Sequence, residues 1–276
     1  MTLSLQGVAL RYANGFTAIA DATLNVSRGE RVAVIGPSGA GKTSLLRLAS
    51  TSIRASAGRV EVLGESPWDL SPARLKALRA RIGVVHQSPP IPPRLRVVTA
   101  VLAGRLGAWS TRRALASLLV PHDAAGAQAA LARLGLGERV FNRCDRLSGG
   151  QLQRVGIARV LYQAPQLILA DEPVSALDPT LADATLRELV AQSADTGATL
   201  VASLHAVDLA LKWFGRIVGM REGHVVFDRA AREVSDEMLR DLYATEGGIV
   251  PTHGGHDAVT GGALPGDSRS SALMCR

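Results

Sequence analysis

Residues 31–44 read Arg31-Val32-Ala33-Val34-Ile35-Gly36-Pro37-Ser38-Gly39-Ala40-Gly41-Lys42-Thr43-Ser44. After Arg31 comes a continuous apolar run, the mark of a buried strand. Gly36 to Thr43 then match G-x-x-x-x-G-K-[ST] in full, and Leu45, Leu46 and Leu48 follow at helical spacing. Strand, glycine loop and helix in that order are the context in which this motif binds phosphate. Gly39 and Gly41 let backbone N–H groups turn inward around phosphate oxygens, a path that a Cβ would restrict. The start of the helix brings its positive dipole end to the same point. Lys42 supplies the cation for the β- and γ-phosphates, and the Thr43 hydroxyl is placed to ligate Mg²⁺. A bare glycine turn joining strand to helix is the bland alternative, and the satisfied context weighs against it.

A metal needs a second anchor. Leu167-Ile168-Leu169-Ala170-Asp171-Glu172 is an apolar run ending in two adjacent carboxylates. Successive residues of a strand point to opposite sides, so the two acids are expected to do different jobs. Asp171 fits the partner of Mg²⁺, held through water, and Glu172 fits the base that polarises an attacking water. Alone, such a pair is equally a solvated strand edge; beside a phosphate loop that reading loses weight.

Further out, alternating residues predict strands over 2–9 and 17–27 around a turn at Ala13-Asn14-Gly15. A strand over 58–63, a helix over 72–81 and a strand over 82–85 follow. Helices are predicted over 98–107, 111–119, 123–136 and 151–163, with no strand between 92 and 165. Strands over 166–170 and 199–203 then flank a helix over 180–194. A helix over 206–213, strands over 216–220 and 224–228, and a last helix over 232–243 complete the pattern. The expectation is one unit over 2–245: an α/β core with a β-rich N-terminal part and a helical insertion over about 92–165. Residues 246–276 are glycine-rich with little periodicity and are expected to be a disordered tail.

Of 276 residues, 47% are hydrophobic and 20% charged, enough to bury a sizeable core. Aromatics are only 4%, which argues against a face of stacked aromatics for nucleic-acid bases. The two cysteines, Cys144 and Cys275, cannot build a disulfide framework and fit a reducing compartment. There is no secretory signal pattern, and no apolar run reaches the roughly 18 residues that a bilayer span needs.

Leu147-Ser148-Gly149-Gly150-Gln151 opens the apolar helix 152–162 and forms a second ready-made anion site. One nucleotide needs one phosphate cradle, so a second cradle beyond the insertion points to use by a partner subunit. None of the three lysines, Lys42, Lys76 and Lys212, lies in an N-K-x-D element, which disfavours a small GTPase.

GPSGAGKT, LSGGQ, LILADEP and SALD stand here in the order and spacing found in nucleotide-binding subunits of ATP-binding-cassette (ABC) transporters, and the chain resembles that family over about 2–245. The resemblance implies an α/β P-loop NTPase core of ABC type, with an N-terminal antiparallel β part and an inserted helical subdomain. It implies a head-to-tail homodimer with two ATP molecules at its interface. Each ATP, with Mg²⁺, would lie between Gly36–Thr43 and Ser44 of one subunit and Ser148, Gly149, Gly150 and Gln151 of the other. Asp178 matches the residue that communicates across the dimer, and Tyr12 the aromatic that stacks on adenine. Gln87 matches the glutamine that reaches Mg²⁺ and senses the membrane partner. His205 matches the histidine that contacts the γ-phosphate. His86 stands where an aromatic is usual.

Between Leu70 and His122 there is no acidic residue, while nine Arg and Lys residues, Arg94 and Arg96 among them, fall inside. A one-sign face suits an anionic partner surface or the headgroups of the cytoplasmic leaflet; a solvated arginine face is the bland alternative. Residues 93–107, 204–208 and 221–228 are very similar to the matching segments of phosphonate-importer ATPases. That resemblance implies an ATP-hydrolysing subunit on the cytoplasmic face of the inner membrane, driving uptake of phosphonates or a related phosphorus oxyanion. It would work through a separate permease, with a periplasmic binding protein engaged only indirectly and no nucleic acid. An importer ATPase for another small solute, such as an amino acid, is the runner-up. ABC ATPases of DNA repair or translation carry long coiled coils, zinc insertions or two cassettes, none of which this sequence displays.

Overall fold

The computed structural model describes residues 1–244 and 247–252; the expected tail from His253 onward lies outside the described residues. The strands are β1 (Leu3–Arg11), β2 (Thr17–Val26), β3 (Arg31–Ile35), β4 (Ala57–Val62), β5 (Ile82–Val85), β6 (Leu167–Asp171), β7 (Thr199–Ser203), β8 (Arg216–Arg221) and β9 (His224–Ala230). The helices are α1 (Lys42–Ala49), α2 (Pro72–Ala80), α3 (Val97–Leu102), α4 (Thr111–Leu119), α5 (Ala124–Ala132), α6 (Gly149–Gln163), α7 (Pro179–Thr196), α8 (Val207–Trp213) and α9 (Asp236–Leu242).

All strands join one sheet in the order β4-β1-β2-β9-β8-β3-β7-β6-β5. From β8 to β5 the neighbours run parallel, and β4-β1-β2 form the antiparallel part. In the sheet they are joined through β9, which pairs parallel to β2 at Asp21–His224 and antiparallel to β8. The unbroken apolar runs of the parallel strands are explained by cover on both faces. Ala33, Ile35, Ile168, Ala170, Leu200 and Ala202 enter one buried cluster with the helices of the insertion and with α7 and α8. Val32, Val34, Leu167, Leu169 and Val201 enter the other, with α1 and the antiparallel strands. The period of two along each strand therefore divides one apolar run between two cores.

Helices α3 to α6 lie between β5 and β6 in the chain; the described residues there show only an isolated bridge, Arg96 with Arg143. The helix expected over 98–107 ends at Leu102 and tightens into a 3₁₀ turn over 103–105. Gly104 passes so close to α6 that a Cβ would lie 2.4 Å from the Arg159 carbonyl oxygen. Helix α5 is shorter than expected because Asp123 caps its start, accepting the Gly126 N–H over 2.9 Å, and Gly135 follows its end at φ +68. Helix α9 begins late, capped by Ser235 Oγ, which accepts the Met238 N–H over 3.2 Å.

Candidate nucleotide site

Adjacent strands β3, β7, β6 and β5 are registered so that Val34 pairs with Ser203, Ser203 with Asp171, and Ala170 with Val85. Their carboxyl ends therefore release four loops at one edge, the place where open α/β sheets bind ligands. Those loops begin at Gly36, Leu204, Glu172 and His86. The topology alone thus gathers the phosphate loop, His205, Asp171 with Glu172, and Gln87.

The phosphate loop is wedged against two strands. Gly36 has φ +147, and a Cβ there would stand 2.0 Å from the Met220 carbonyl oxygen of β8. Gly41 has φ +103, and its Cβ would stand 2.5 Å from the Ala18 oxygen of β2. No side chain fits either position, so both glycines are required by contact as well as by conformation. The Gly36 N–H donates to Tyr243 Oη over 3.1 Å, and the Gly223 N–H donates to Ala40 O over 3.1 Å. Lys42 Nζ donates to the carbonyls of Gly36 (2.5 Å) and Pro37 (3.0 Å). Phe16, Ser38, Lys42, Thr43 and Glu172 help to line a 220 Å³ cavity over the loop.

Thr43 Oγ1 donates to Asp171 Oδ1 over 3.1 Å, and Ser203 Oγ donates to the same oxygen over 2.7 Å. A hydroxyl and a carboxylate in contact form a hard-oxygen pair suited to Mg²⁺, which keeps several waters and shares its ligation with substrate phosphates. Among the described residues there is no cluster of three or more His, Cys, Asp or Glu that could hold a metal ion.

Glu172 is separated from Asp171 by more than strand alternation. It lies just past β6 with φ +45, a left-handed conformation that costs a non-glycine residue about 1–2 kcal/mol. Its N–H holds that turn by donating to Ser203 Oγ (3.0 Å) and Ser203 O (3.2 Å). The Glu172 carboxylate then faces Gln87, whose Nε2 donates to Oε2 over 2.8 Å. His205 lines a 250 Å³ cavity with Glu172, Ser175 and Thr252. Thr252 reaches it because the Val207 N–H donates to Pro251 O over 2.9 Å.

Tyr12 and Ser44 share a hydroxyl–hydroxyl hydrogen bond of 3.1 Å. The Tyr12 ring stacks on Phe16 with centroids 6.4 Å apart and planes 12° apart. Phe16, 56% exposed, is the ring at the phosphate-loop cavity.

Ser148 to Gln151 stand apart from this group. Ser148 Oγ accepts the Gln151 N–H (3.3 Å) and Gln151 Oε1 accepts the Ser148 N–H (3.0 Å), a capping box that starts α6. Gly150 packs beneath the next loop, where a Cβ would meet Leu177 Cδ2 at 2.9 Å. Asp178 caps α7 by accepting the Leu181 N–H over 3.0 Å. These side-chain hydrogen bonds close within their own turns rather than on the phosphate loop of the same chain.

Sequence reading missed Ser203, Phe16 and Tyr243. Ser203 and Tyr243 become visible only through strand register and the return of the C-terminal helix. Phe16 carried a signal, as an aromatic four residues after Tyr12 and beside the turn.

The ABC transporter family model matches residues 19–175. The chain is 61% identical over 254 residues to phosphonates import ATP-binding protein PhnC 1 of Cupriavidus necator, covering 92% of this chain and 91% of that one. It is 63% identical over 246 residues to phosphonates import ATP-binding protein PhnC 2 of Pseudomonas aeruginosa, covering 89% and 92%. A solved dimer of an ATP-binding cassette in a post-hydrolysis state with ADP and phosphate is 29% identical, with a TM-score of 0.71, over 84% of this chain and all of that one. With fold, motif order and these likenesses in agreement, the chain belongs to the ABC transporter family as an ATP-binding, ATP-hydrolysing cassette.

Proposed function

We propose that this cassette powers import of phosphonates or a related phosphorus oxyanion through a separate permease. The single observation that carries the substrate class is the 61% identity, over nine-tenths of both chains, to a phosphonates import ATP-binding protein. In this reading Lys42 exchanges the carbonyls of Gly36 and Pro37 for ATP phosphates, so its charge is already at the site when nucleotide arrives. Thr43, Asp171 (through water) and Gln87 would hold Mg²⁺. When bound, that ion neutralises charge on the β- and γ-phosphates. Glu172, oriented by Gln87 and by its left-handed turn, takes the proton of the water that attacks the γ-phosphorus; the bond to the β–γ bridging oxygen breaks and ADP leaves. His205 orders that water from the opposite loop. Tyr12 and Phe16 form the aromatic wall for adenine.

Ser148–Gln151 serve a second copy of the chain, closing over its ATP in a head-to-tail dimer, with Asp178 beside the same interface. That the side chains of Ser148 and Gln151 bond only within their own turn, among the described hydrogen bonds, supports that division, as does the dimeric state of the solved relative. The permease docks beside Gln87, at a 520 Å³ groove lined by Leu75, Lys76, Arg79, His86, Leu106 and Arg159. Among the described residues no helix is long and apolar enough to cross a membrane, so membrane association in this reading runs through that groove, on the cytoplasmic face.

The test is growth of a strain lacking this gene on methylphosphonate, or on phosphite, as the sole phosphorus source. Rescue by the wild type but not by Glu172→Gln is expected. Unimpaired growth of the deletion strain, in a background without another importer, overturns the phosphonate assignment.

A further inference from the structure

Gln153 lies on α6, two residues past the end of Ser148–Gln151, and is 1% exposed. Its amide Nε2 donates to His86 O and to Pro173 O, 3.2 Å each. A side-chain amide carries two N–H groups, so one Gln satisfies both carbonyls. The two acceptors are not arbitrary. His86 immediately precedes Gln87, and Pro173 immediately follows Glu172; Gln87 and Glu172 are themselves hydrogen-bonded over 2.8 Å. One buried amide thus ties the backbones of the two loops whose side chains meet at the site.

We infer that Gln153 is a positioning residue for hydrolysis: it sets the Gln87–Glu172 pair by holding both loops, and it hangs both from α6, the helix that Ser148 caps. The inference rests on the ATPase reading of Glu172 given above. Without the amide, the buried Pro173 carbonyl and the part-buried His86 carbonyl lose this donor, and the loops make good the loss by moving toward water or another group. Such a shift displaces Glu172 from its water while leaving the phosphate loop, held by β2, β8 and Tyr243, in place. Gln153 touches no substrate and acts only through its neighbours.

The experiment compares the full-length wild type, Gln153→Met, Gln87→Ala and the double variant, measuring kcat and KM for Mg-ATP and, separately, the Kd for ATP. Gln153→Met keeps side-chain length and removes the donor. The expected result is a kcat loss on the order of 10- to 100-fold with Kd within about twofold, as small misplacements of reacting groups produce. In the Gln87→Ala background, where the pair is already broken, the same change is expected to cost less than about threefold. A general loss of stability would instead multiply through both backgrounds. If Gln153→Met does not fold, Gln153→Asn, which withdraws the amide by one methylene, is expected to give the same split. A folded variant whose kcat stays within about twofold of wild type, or a double variant whose losses multiply, overturns the inference. A wild type that binds ATP but does not hydrolyse it overturns the reading beneath it, a separate failure visible before any variant is made.

Discussion

Thr43 Oγ1 and Asp171 Oδ1 lie 3.1 Å apart, joining the end of the phosphate loop to the end of β6 across 128 residues of sequence. Ser203 donates to the same oxygen from the strand between them, so the carboxylate is fixed from two sides. Asp171→Asn keeps the shape and removes the charge. Its expected effect is a fall in kcat of about 100-fold or more and a rise in the Mg²⁺ concentration needed for half-maximal rate, with metal-free ATP binding within about twofold. A Mg²⁺ titration of hydrolysis checks this, and an unchanged titration midpoint contradicts it.

Tyr243 is fully buried, and its hydroxyl accepts the N–H of Gly36, the residue whose carbonyl holds Lys42. Tyr243→Phe leaves that N–H without this partner, at a cost of about 1–3 kcal/mol. The expected outcome is a Tm several degrees lower and an ATP Kd raised about three- to tenfold, with kcat at saturating ATP little changed. Calorimetry and nucleotide titration measure both; an unaltered Kd removes Tyr243 from the support of the loop.

Burial, assisted by Asp145, pushes the Cys144 thiol up to about 11. Only the thiolate reacts, so a folded Cys275→Ser protein is expected to alkylate at least about 100-fold more slowly at pH 8 than the same chain in denaturant. Raising pH toward 10 should speed the reaction, since ionisation rises with pH below the thiol's value. Rapid labelling of the folded protein at pH 8 contradicts the packing described for the insertion.

Arg94 and Arg96 are exposed and make no ion pair among the described residues. By contrast, Arg74 and Arg81 of the same basic stretch are tied to Glu65, and Arg105 lies over the Tyr162 ring. Reversing both exposed charges to Glu is expected to weaken co-purification with the permease at least about tenfold and to leave the ATP Kd unchanged. Undiminished co-purification moves the docking charge elsewhere.

Much of this was legible in the order of residues. The run Arg31–Ser44 declared its strand, loop and helix because each piece has a local cause: apolar continuity, glycine, then leucines at helical spacing. Asp171 and Glu172 announced a site but not its geometry. Alternation predicted their divergence, whereas the structure achieves it with a left-handed turn stapled by Ser203, a residue 31 positions away that only sheet register brings close. Tyr243 and Gln153 were silent for the same reason. A tyrosine near a C-terminal helix and a glutamine in an apolar helix look ordinary until the strands that receive them are ordered. Helix ends shifted where a cap or a close glycine intervened, at Asp123, Ser235 and Gly104.

In the proposed mechanism this chain hydrolyses ATP with Glu172 as base, closing on a second copy of itself. Its most direct test is phosphate release together with size in solution, with Mg-ATP present, for the wild type and Glu172→Gln. Steady turnover is expected of the wild type. For Glu172→Gln a loss of at least about 100-fold is expected, with the chain held as an ATP-bound dimer. Multi-turnover hydrolysis by Glu172→Gln near the wild-type rate, with no ATP-dependent dimer, would rule out that mechanism.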